Sequence, residues 1–298
     1  MKSRFTCLAV SVFLSISFGV QASLEVVENQ WEKIDDTSRI VTLGGTITEI
    51  VYALGAGDQV VGVDASSSYP PEVNDLEKVA YHRRLSAEGI LSLAPTLVIA
   101  TSETGPPEAI QQLRDAGLFV LIVPHEPTIE SAVHRIEHIA SALDALADGD
   151  ELIEQLKRDL HVSPTTVPTK RTKVLFLYAR GQGTLMVAGR ETGADTIIGL
   201  AGGANAVRGY TGFKTLTPEA AIAAAPEVIL LMDSGLESIG GEEGLWQVPG
   251  LELTPAGRHH RVVSMDGLLL LGFGPRTGKA VLELNQALYP VERAQQDR

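Results

Sequence analysis

The stretch RIVTLGGTITEIVYALGAG (39–57) decides the fold class of the chain. Its first half, RIVTLGG, is an apolar run that ends in two glycines, and this pattern predicts a buried strand. The second half predicts a helix, because its apolar residues recur at helical spacing from Ile47 to Leu54. Thr46 followed by Glu49 matches a capping box at the start of this helix. A buried strand that runs directly into an amphipathic helix is the basic unit of an α/β fold.

The same alternation of apolar strand and helix continues beyond this stretch. Apolar runs predict strands at QVVGVD (59–64), PTLVIA (95–100) and LFVLIVP (118–124). A helix with proline in its first turn is predicted between the last two, at PPEAIQQLRDAG (106–117). Strands that are apolar along their whole length are typical of a parallel sheet covered by helices on both faces. The sequence therefore predicts an α/β fold with a parallel sheet.

The pattern changes after Pro127 and divides the chain. Residues 128–162 predict about two helices with a weak interruption at Asp148-Gly149-Asp150. KVLFLYARGQG (173–183) begins a strand again, and strand and helix are expected to alternate from there to the end. The expected division is a first α/β lobe at 23–145, a connecting helix and linker at 146–170, and a second α/β lobe at 171–298.

The first 22 residues predict a cleavable signal peptide rather than part of the fold. MKSRFTCLAVSVFLSISFGVQA (1–22) has Lys2 and Arg4, then a short apolar run, then a small-x-small cleavage site at its end. Export to the periplasm is the expected consequence. The formal net charge of the chain is -13, which argues against nucleic acid as a partner because phosphate backbones attract basic surfaces.

Two segments repeat one design in the two predicted lobes. LSAEGILSLAPTLVIA (85–100) and LTPEAAIAAAPEVILL (216–231) each have a Ser or Thr N-cap, a glutamate in the first turn, an apolar helix, a proline and an apolar strand. Glu88 and Glu219 are therefore expected at equivalent surface points of the two lobes. From the residues alone, each carboxylate can simply complement the dipole of its own helix.

His134-Arg135-Ile136-Glu137-His138 matches the H-x-x-E-H pattern of inverted zinc peptidases. Histidines four residues apart share a helical face and can bind zinc. The residues around them follow a plain amphipathic pattern, and no second helix with the expected peptidase context follows. A solvated helix is the preferred interpretation, and a zinc hydrolase using His134, Glu137 and His138 is the alternative from another functional class.

VAYHRRLSAEG (79–89) places a tyrosine beside three basic side chains. A phenol has a pKa near 10 and is a poor metal ligand until a ferric ion stabilises the phenolate. A nearby guanidinium favours the charged oxygen, and Arg83, in a loop predicted to be extended, is expected on the same side as Tyr81. His82 and Arg84 are candidates for a second ligand and a propionate partner, because tyrosinate can be an axial ligand of haem iron. The spacing leaves an exposed polar loop open as the alternative.

Five stretches together carry a likeness to known proteins. They are RIVTLGGTITEIVYALGAGDQVVGVDASSSYPPEV (39–73), VAYHRRLSAEGILSLAPTLVIA (79–100), ETGPPEAIQQLRDAG (103–117), LMVAGRETGADTIIGLAGGANAV (185–207) and SMDGLLLLGFGPRT (264–277). They resemble the periplasmic haem-binding proteins of bacterial ABC importers, within the class that binds vitamin B12, siderophores and haem. YPPE, Y-x-R-x-LSAEG and GFGPR are the motifs typical of the haem branch.

The resemblance implies two Rossmann-like lobes with mostly parallel sheets joined by a long rigid helix, which is the class III arrangement of periplasmic binding proteins. It places the ligand in the cleft between the lobes. It also implies an axial tyrosinate at Tyr81 with Arg83 beside it. Finally, it implies that Glu88 and Glu219, one in each lobe, dock onto arginines of a membrane permease.

The resemblance does not fix the remaining contacts of the haem. His82 and Arg84 depart from many relatives, which have uncharged residues at these positions. Both side chains are candidate contacts because they flank the tyrosine and its arginine. The other candidate contacts are Tyr178, Tyr210, Lys214 and Arg276.

We therefore expect a periplasmic solute-binding protein and not an enzyme. Its cargo is expected to be ferric haem, held by apolar walls, one iron ligand and a few bases for the propionates. An inner-membrane ABC permease is the expected partner, with an outer-membrane haem receptor acting upstream. A ferric siderophore or a cobalamin carried by the same scaffold is the main alternative.

Overall fold

The structure is a computed structural model, and it describes residues 34–162, 170–181, 183 and 185–290. The predicted signal peptide and part of the predicted linker lie outside these residues. None of the helices in the described ranges is long and apolar enough to cross a membrane. The described elements build two sheets, each flanked by helices.

Five strands form the first sheet: β1 (Ile40–Leu43), β2 (Val60–Val63), β3 (Glu77–Lys78), β4 (Leu97–Thr101) and β5 (Phe119–Val123). All their pairings are parallel, in the order β3-β2-β1-β4-β5. At the centre of the sheet, Ile40 pairs with Val60 on one side and with Leu97 on the other. This sheet confirms the parallel arrangement that the apolar strands predict.

The helices that accompany this sheet are α1 (Gly45–Ala53), α2 (Ala87–Leu91), α3 (Pro107–Asp115) and α4 (Ile129–Ala142). Successive side chains of a strand point to opposite faces of a sheet. Ile40 accordingly packs in one buried cluster with Ile50 and Ile136, whereas Val41 packs in a second cluster with Ile110. Because both faces are covered, the inner strands β1 and β4 are buried along their whole length and are apolar except for one threonine each.

The predicted interruption at 148–150 is wrong, because these residues lie within α5 (Leu146–Val162). The chain turns earlier, at 143–145, where Asp144 has a φ of 59°. A Cβ at Gly149 would lie 2.5 Å from the Cβ of Ala140 in α4. The glycine therefore permits close packing of α5 on α4 and does not break the helix.

Six strands form the second sheet: β6 (Lys173–Ala179), β7 (Leu185–Ala188), β8 (Ala204–Asn205), β9 (Phe213–Thr215), β10 (Val228–Met232) and β11 (Val262–Met265). β10 pairs in parallel with β6 and β11, and β8 pairs in parallel with β6. β7 pairs antiparallel with β6 and with β9. The expected alternation of strand and helix therefore fails here, because the short connection after Ala179 returns the chain directly beside β6.

Helices also accompany the second sheet, and its two faces are buried in separate clusters. Phe176 packs in one cluster with Ile197 and Leu284, and Leu175 packs in the other with Leu245. The chain is thus an α/β protein with two mostly parallel sheets, as predicted, whereas the proposed lobe boundaries stay predictions. The helices are α6 (Gly193–Leu200), α7 (Pro218–Ala224), α8 (Asp233–Ser238), α9 (Gly241–Trp246), α10 (Pro255–Arg258), α11 (Gly267–Leu271) and α12 (Thr277–Leu288).

The predicted capping box of α1 is wrong. The N-cap is Gly44, which has a φ of 123° and no side chain, while Thr46 lies inside the helix. Thr46 instead donates its hydroxyl to the backbone oxygen of Gly272 at 2.9 Å. Glu49 accepts a hydrogen bond from the guanidinium of Arg276 at 2.7 Å. Both side chains therefore connect α1 to the segment that leads into α12.

Arg135 makes a third connection of this kind. It is fully buried in α4, although the sequence pattern predicts an apolar buried side for that helix. Its guanidinium donates to the backbone oxygens of Pro124, at 3.0 Å, and Phe273, at 2.7 Å. Burial lowers the pKa of Arg135 to about 10, so the side chain remains charged at neutral pH. The buried charge is used to hold the backbone of a distant segment.

Candidate functional site

Polar side chains gather where the parallel strands of the first sheet end. Asp64 follows β2, Tyr81 follows β3, Glu103 follows β4 and His125 follows β5. Because the carboxyl ends of parallel strands meet at one edge, these residues lie along the same edge of the sheet, where open α/β sheets usually bind ligands. We call these four residues, together with the turn that carries Tyr81, the strand-end site.

Asp64 organises this edge although it is fully buried. It accepts the backbone N–H of Gly44 at 3.0 Å and that of His82 at 3.2 Å, and its Oδ2 lies 2.8 Å from His82 Nδ1. The hydroxyls of Ser66 and Ser67 also donate to it. Burial alone raises the pKa of Asp64, but the hydrogen bonds from His82 and Ser66 outweigh burial and hold that pKa below its usual 3.8. Asp64 is therefore an anion that fixes both the start of α1 and the turn after β3.

Tyr81 lies in a tight turn and not in the extended loop that the sequence predicts. The backbone N–H of Arg84 donates to the oxygen of Tyr81 at 2.7 Å and closes this turn. Ala80, immediately before it, has a φ of 100°, and such strain costs about 1–3 kcal/mol and is common at functional sites. The turn leaves Tyr81 37% exposed. The extended geometry that predicted Arg83 and Tyr81 on one side is therefore absent.

His82 supports the Tyr81 ring from the buried side of the turn. Its own side chain is almost completely buried, and the centroids of the two rings lie 4.4 Å apart. Its Nδ1 is engaged with Asp64. Arg84, by contrast, is exposed. The turn thus exposes the phenol of Tyr81 and the guanidinium of Arg84, whereas Nδ1 of His82 is held by Asp64 and is not available to a ligand.

Arg83 pairs with Glu103. Its Nη2 donates to Oε2 of Glu103, and His125 Nε2 lies 3.0 Å from the same oxygen. Burial lowers the pKa of the His125 imidazole, and this effect exceeds the opposing one of Glu103. His125 is therefore neutral at pH 7, and its ring contacts the carboxylate through Nε2. The sequence analysis missed Glu103 and His125, although their positions after two buried strands are the signal that could have identified them.

Three of the other predicted contacts lie at the second sheet, but on its two opposite faces. Tyr178 on β6 packs edge-on against Phe213 of β9, with ring centroids 6.3 Å apart. Tyr210 donates its hydroxyl to the backbone oxygen of Val187 at 3.2 Å, and Lys214 Nζ lies 4.5 Å from the centre of its ring. Phe213 is 42% exposed and was missed by the sequence analysis. Tyr178 with Phe213 and Tyr210 with Lys214 therefore form two separate groups, one on each face of the second sheet.

Arg276 lies apart from this surface, in the wall of a cavity of about 720 Å³ beside α1, α5 and the start of α12. Its guanidinium lies 3.6 Å from the ring centre of Tyr69 and is paired with Glu49. Four carboxylates and two cationic side chains line the cavity, so its charge disfavours an anionic ligand. Tyr81 is not among its lining residues. We therefore place the candidate site at the strand ends and not in this cavity.

Glu88 and Glu219 occupy matching positions on two short helices. Each is exposed and lies in the first turn of its helix, α2 or α7. Thr217 caps α7, since its hydroxyl accepts the backbone N–H of Ala220. Ser86 occupies the equivalent N-cap position of α2 without a side-chain hydrogen bond. The two acids are therefore available on the surface.

The H-x-x-E-H motif lies on α4, and its side chains do not form a metal site. His134 is exposed, and Glu137 and His138 are half-buried. Among the residues that the structure describes, no group of three His, Cys, Asp or Glu side chains is placed to hold a metal ion. The geometry gives no support to the zinc hydrolase alternative.

Comparison with known proteins identifies the family. The model of the family described as "Periplasmic binding protein" matches residues 40–268. The chain belongs to this periplasmic binding protein family. The match spans the strands of both sheets and ends in α11, before α12.

Several proteins of named function are similar to this periplasmic binding protein along most of its length. The apo structure of a periplasmic haem-binding protein from Roseiflexus sp. RS-1 has 47% identity and a TM-score of 0.83, over 85% of this chain and 98% of that one. An uncharacterised ABC transporter substrate-binding lipoprotein of Bacillus subtilis is 32% identical, over 86% of this chain and 81% of the relative. A vitamin B12-binding protein of Vibrio parahaemolyticus is 25% identical, over 87% and 92%.

These findings define the general role of the protein. It is a periplasmic solute-binding protein of an ABC transporter and not an enzyme. It works outside the cytoplasm, and a membrane permease is its partner.

Proposed function

We propose that this binding protein captures ferric haem at the strand-end site and delivers it to its permease. Tyr81 is the proposed iron ligand. The observation that supports this role most is the placement of its phenol, which is partly exposed at the carboxyl edge of the sheet. The strained Ala80 and the buried contact between His82 and Asp64 hold the turn in place. A tyrosine that only filled space would not require this support.

The chemistry of the site suits ferric iron. The phenol of Tyr81 loses its proton to solvent when the ferric ion binds, and Arg83, two residues along the chain, is the cation proposed to favour the phenolate. Arg84 and Lys214 are exposed cations that suit the two propionates. Tyr178 and Phe213, on one face of the second sheet, are proposed to supply aromatic surface for the porphyrin, whereas Tyr210 lies on the other face and stays a weaker candidate contact. His82 acts in this proposal as a support for the phenol, and Arg276 stays a weaker candidate contact because Glu49 already holds it.

The relatives favour haem over the second candidate ligand. The structure at 47% identity is that of a haem-binding protein, whereas the relative named for vitamin B12 is 25% identical. The second relative nevertheless makes cobalamin the competing hypothesis. Cobalamin does not need a phenolate, because the axial positions of its cobalt are already occupied, whereas haem iron held only by its porphyrin has open axial positions.

Parallel titrations of the purified protein test the choice of ligand. Hemin is added in one series and cyanocobalamin in the other, with absorption spectra recorded at each step. We expect hemin to saturate the protein with a shifted Soret band, and cyanocobalamin to leave the protein without bound ligand after desalting. Saturable cobalamin binding together with only nonspecific hemin binding would overturn the proposal.

Delivery is proposed to depend on the two surface glutamates. Glu88 and Glu219 lie far from each other in sequence but have equivalent positions at the start of helices in the two lobes. Exposed carboxylates of this kind can pair with arginines on a permease. The docked permease would then separate the lobes and weaken the bond between Tyr81 and iron.

A further inference from the structure

One carboxylate oxygen at the strand-end site lies against two side-chain nitrogen atoms. Oε2 of Glu103 accepts from Arg83 Nη2 and lies 3.0 Å from His125 Nε2. The three side chains come from the segments after β3, β4 and β5, so the parallel sheet itself brings them together. The Arg83 side chain is 50% exposed, and an exposed ion pair adds little to stability. Stability alone therefore does not account for the arrangement.

His125 lies against Glu103. Its Nε2 is 3.0 Å from Oε2 of the carboxylate, while its Nδ1 is buried and has no hydrogen-bond partner among the described residues. Burial keeps the ring neutral at pH 7 by lowering its pKa. The charged groups near His125 are Glu103, Arg135 and Arg83. The neutral ring thus adds no positive charge beside the carboxylate of Glu103, and Arg83 is the cation paired with it.

We infer that Glu103 is a positioning residue that competes with the Tyr81 phenolate for the guanidinium of Arg83. This inference rests on the proposed function, in which Tyr81 binds ferric haem. A guanidinium that is paired with a carboxylate stabilises a nearby phenolate less than an unpaired guanidinium does, because the carboxylate offsets part of its positive charge. Glu103 therefore weakens the hold on haem and makes its release to the permease easier.

The test is the rate at which hemin leaves the loaded protein for excess apomyoglobin. Glu103→Gln keeps the size of the side chain and removes its charge, so Arg83 can turn to the phenolate. We expect hemin to leave about tenfold more slowly, which corresponds to about 1.4 kcal/mol. The visible absorption band between tyrosinate and iron should also move. Glu108→Gln, a matched change at an exposed acid in α3, should alter neither quantity, and Glu103→Asp should return both toward the original values.

A double substitution separates action through Arg83 from a simple change of charge. In an Arg83→Met background, Glu103→Gln should change the hemin release rate less than twofold, because coupled residues are not additive. An unchanged or faster release in Glu103→Gln would overturn the inference. So would an equal slowing in both backgrounds, since Glu103 would then act without Arg83. If the parent protein binds no hemin at all, the proposed function fails, and this outcome is distinct from a failure of the Glu103 inference.

Discussion

The carboxylate of Glu49 and the guanidinium of Arg276 form an ion pair at 2.7 Å across 227 residues of sequence. The pair joins α1, which packs on the first sheet, to the N-cap residue of α12. Burial alone lowers the pKa of Arg276, but the hydrogen bond and charge of Glu49 outweigh it and raise that pKa above its usual value. Thr46 and Arg135 bind the backbone of the same segment at Gly272 and Phe273. One short segment thus connects the helices of the two sheets.

Arg276→Met is expected to lower the free energy of unfolding by about 3 kcal/mol, since removing one partner leaves the other charge buried and unpaired. Glu49 is almost completely buried, which makes the loss larger than for a surface pair. Urea unfolding followed by circular dichroism measures the change. Lys279→Met is the matched control, because the Lys279 side chain is 58% exposed and lies 3.7 Å from Glu283. Equal stability of the two variants would contradict this account of the pair.

Asp64→Asn is expected to destabilise the protein by about 2–4 kcal/mol, because the amide cannot accept every hydrogen bond that the buried carboxylate now receives. The pKa of Asp64 is lower when folded than its usual 3.8. Its contribution is therefore present above about pH 4 and is lost as the pH falls through the lower folded value. Unfolding free energies measured from pH 7 to pH 3 should thus fall less steeply in the variant. A parallel decline in both proteins would show that Asp64 does not supply this pH dependence.

Gly149→Ala is expected to destabilise the protein, although alanine favours helices over glycine by about 1 kcal/mol. The new Cβ would lie 2.5 Å from that of Ala140, and overpacking of this kind costs about 1–3 kcal/mol. Gly199→Ala in α6 is the matched control, because its Cβ would meet no atom within 4 Å. Thermal unfolding should show a lower midpoint for the first variant and an equal or higher one for the second. Stabilisation by both changes would mean that α4 and α5 do not pack closely at Gly149.

Glu88→Gln and Glu219→Gln are each expected to leave hemin affinity unchanged and to reduce haem uptake by cells that carry the cognate permease. The reduction should be about tenfold or more, since losing one partner of a buried interfacial charge pair costs about 2–5 kcal/mol. Glu151→Gln, an exposed acid on α5, should transport normally. Full uptake with both docking glutamates replaced would exclude them from the permease contact.

The fold class follows from local pattern because burial on both faces leaves a clear trace in the sequence. β1 and β4 are wholly buried inside the sheet, and each is apolar except for one threonine. The position of the break between α4 and α5 could not be predicted from the local pattern. Gly149 resembles a helix breaker in sequence. In the structure it is needed because any side chain there would collide with Ala140 on the neighbouring helix, and the local sequence gives no sign of such a contact.

The candidate site was likewise only partly predictable from the sequence. The Y-x-R motif draws attention to Tyr81, but the turn that carries it depends on Asp64, which is distant in sequence. Arg83 meets Glu103 only because β3 and β4 belong to one parallel sheet. Thr46 and Glu49 match a capping box, yet both are used in contacts with residues more than 200 positions away. Motifs identify the residue types, and tertiary contacts decide what those residues touch.

The most direct test of the central claim compares Tyr81→Phe with Tyr52→Phe in hemin titrations of the purified protein. Both changes remove one hydroxyl, but Tyr52 lines the acidic cavity and does not belong to the strand-end site. We predict that Tyr81→Phe weakens hemin binding by about a hundredfold or more, since even indirect partners of a metal typically contribute 10–100-fold, and that it abolishes the tyrosinate-to-iron absorption band. Tyr52→Phe should keep both the affinity and the band. Undiminished hemin affinity in Tyr81→Phe, with the band intact, would contradict the account.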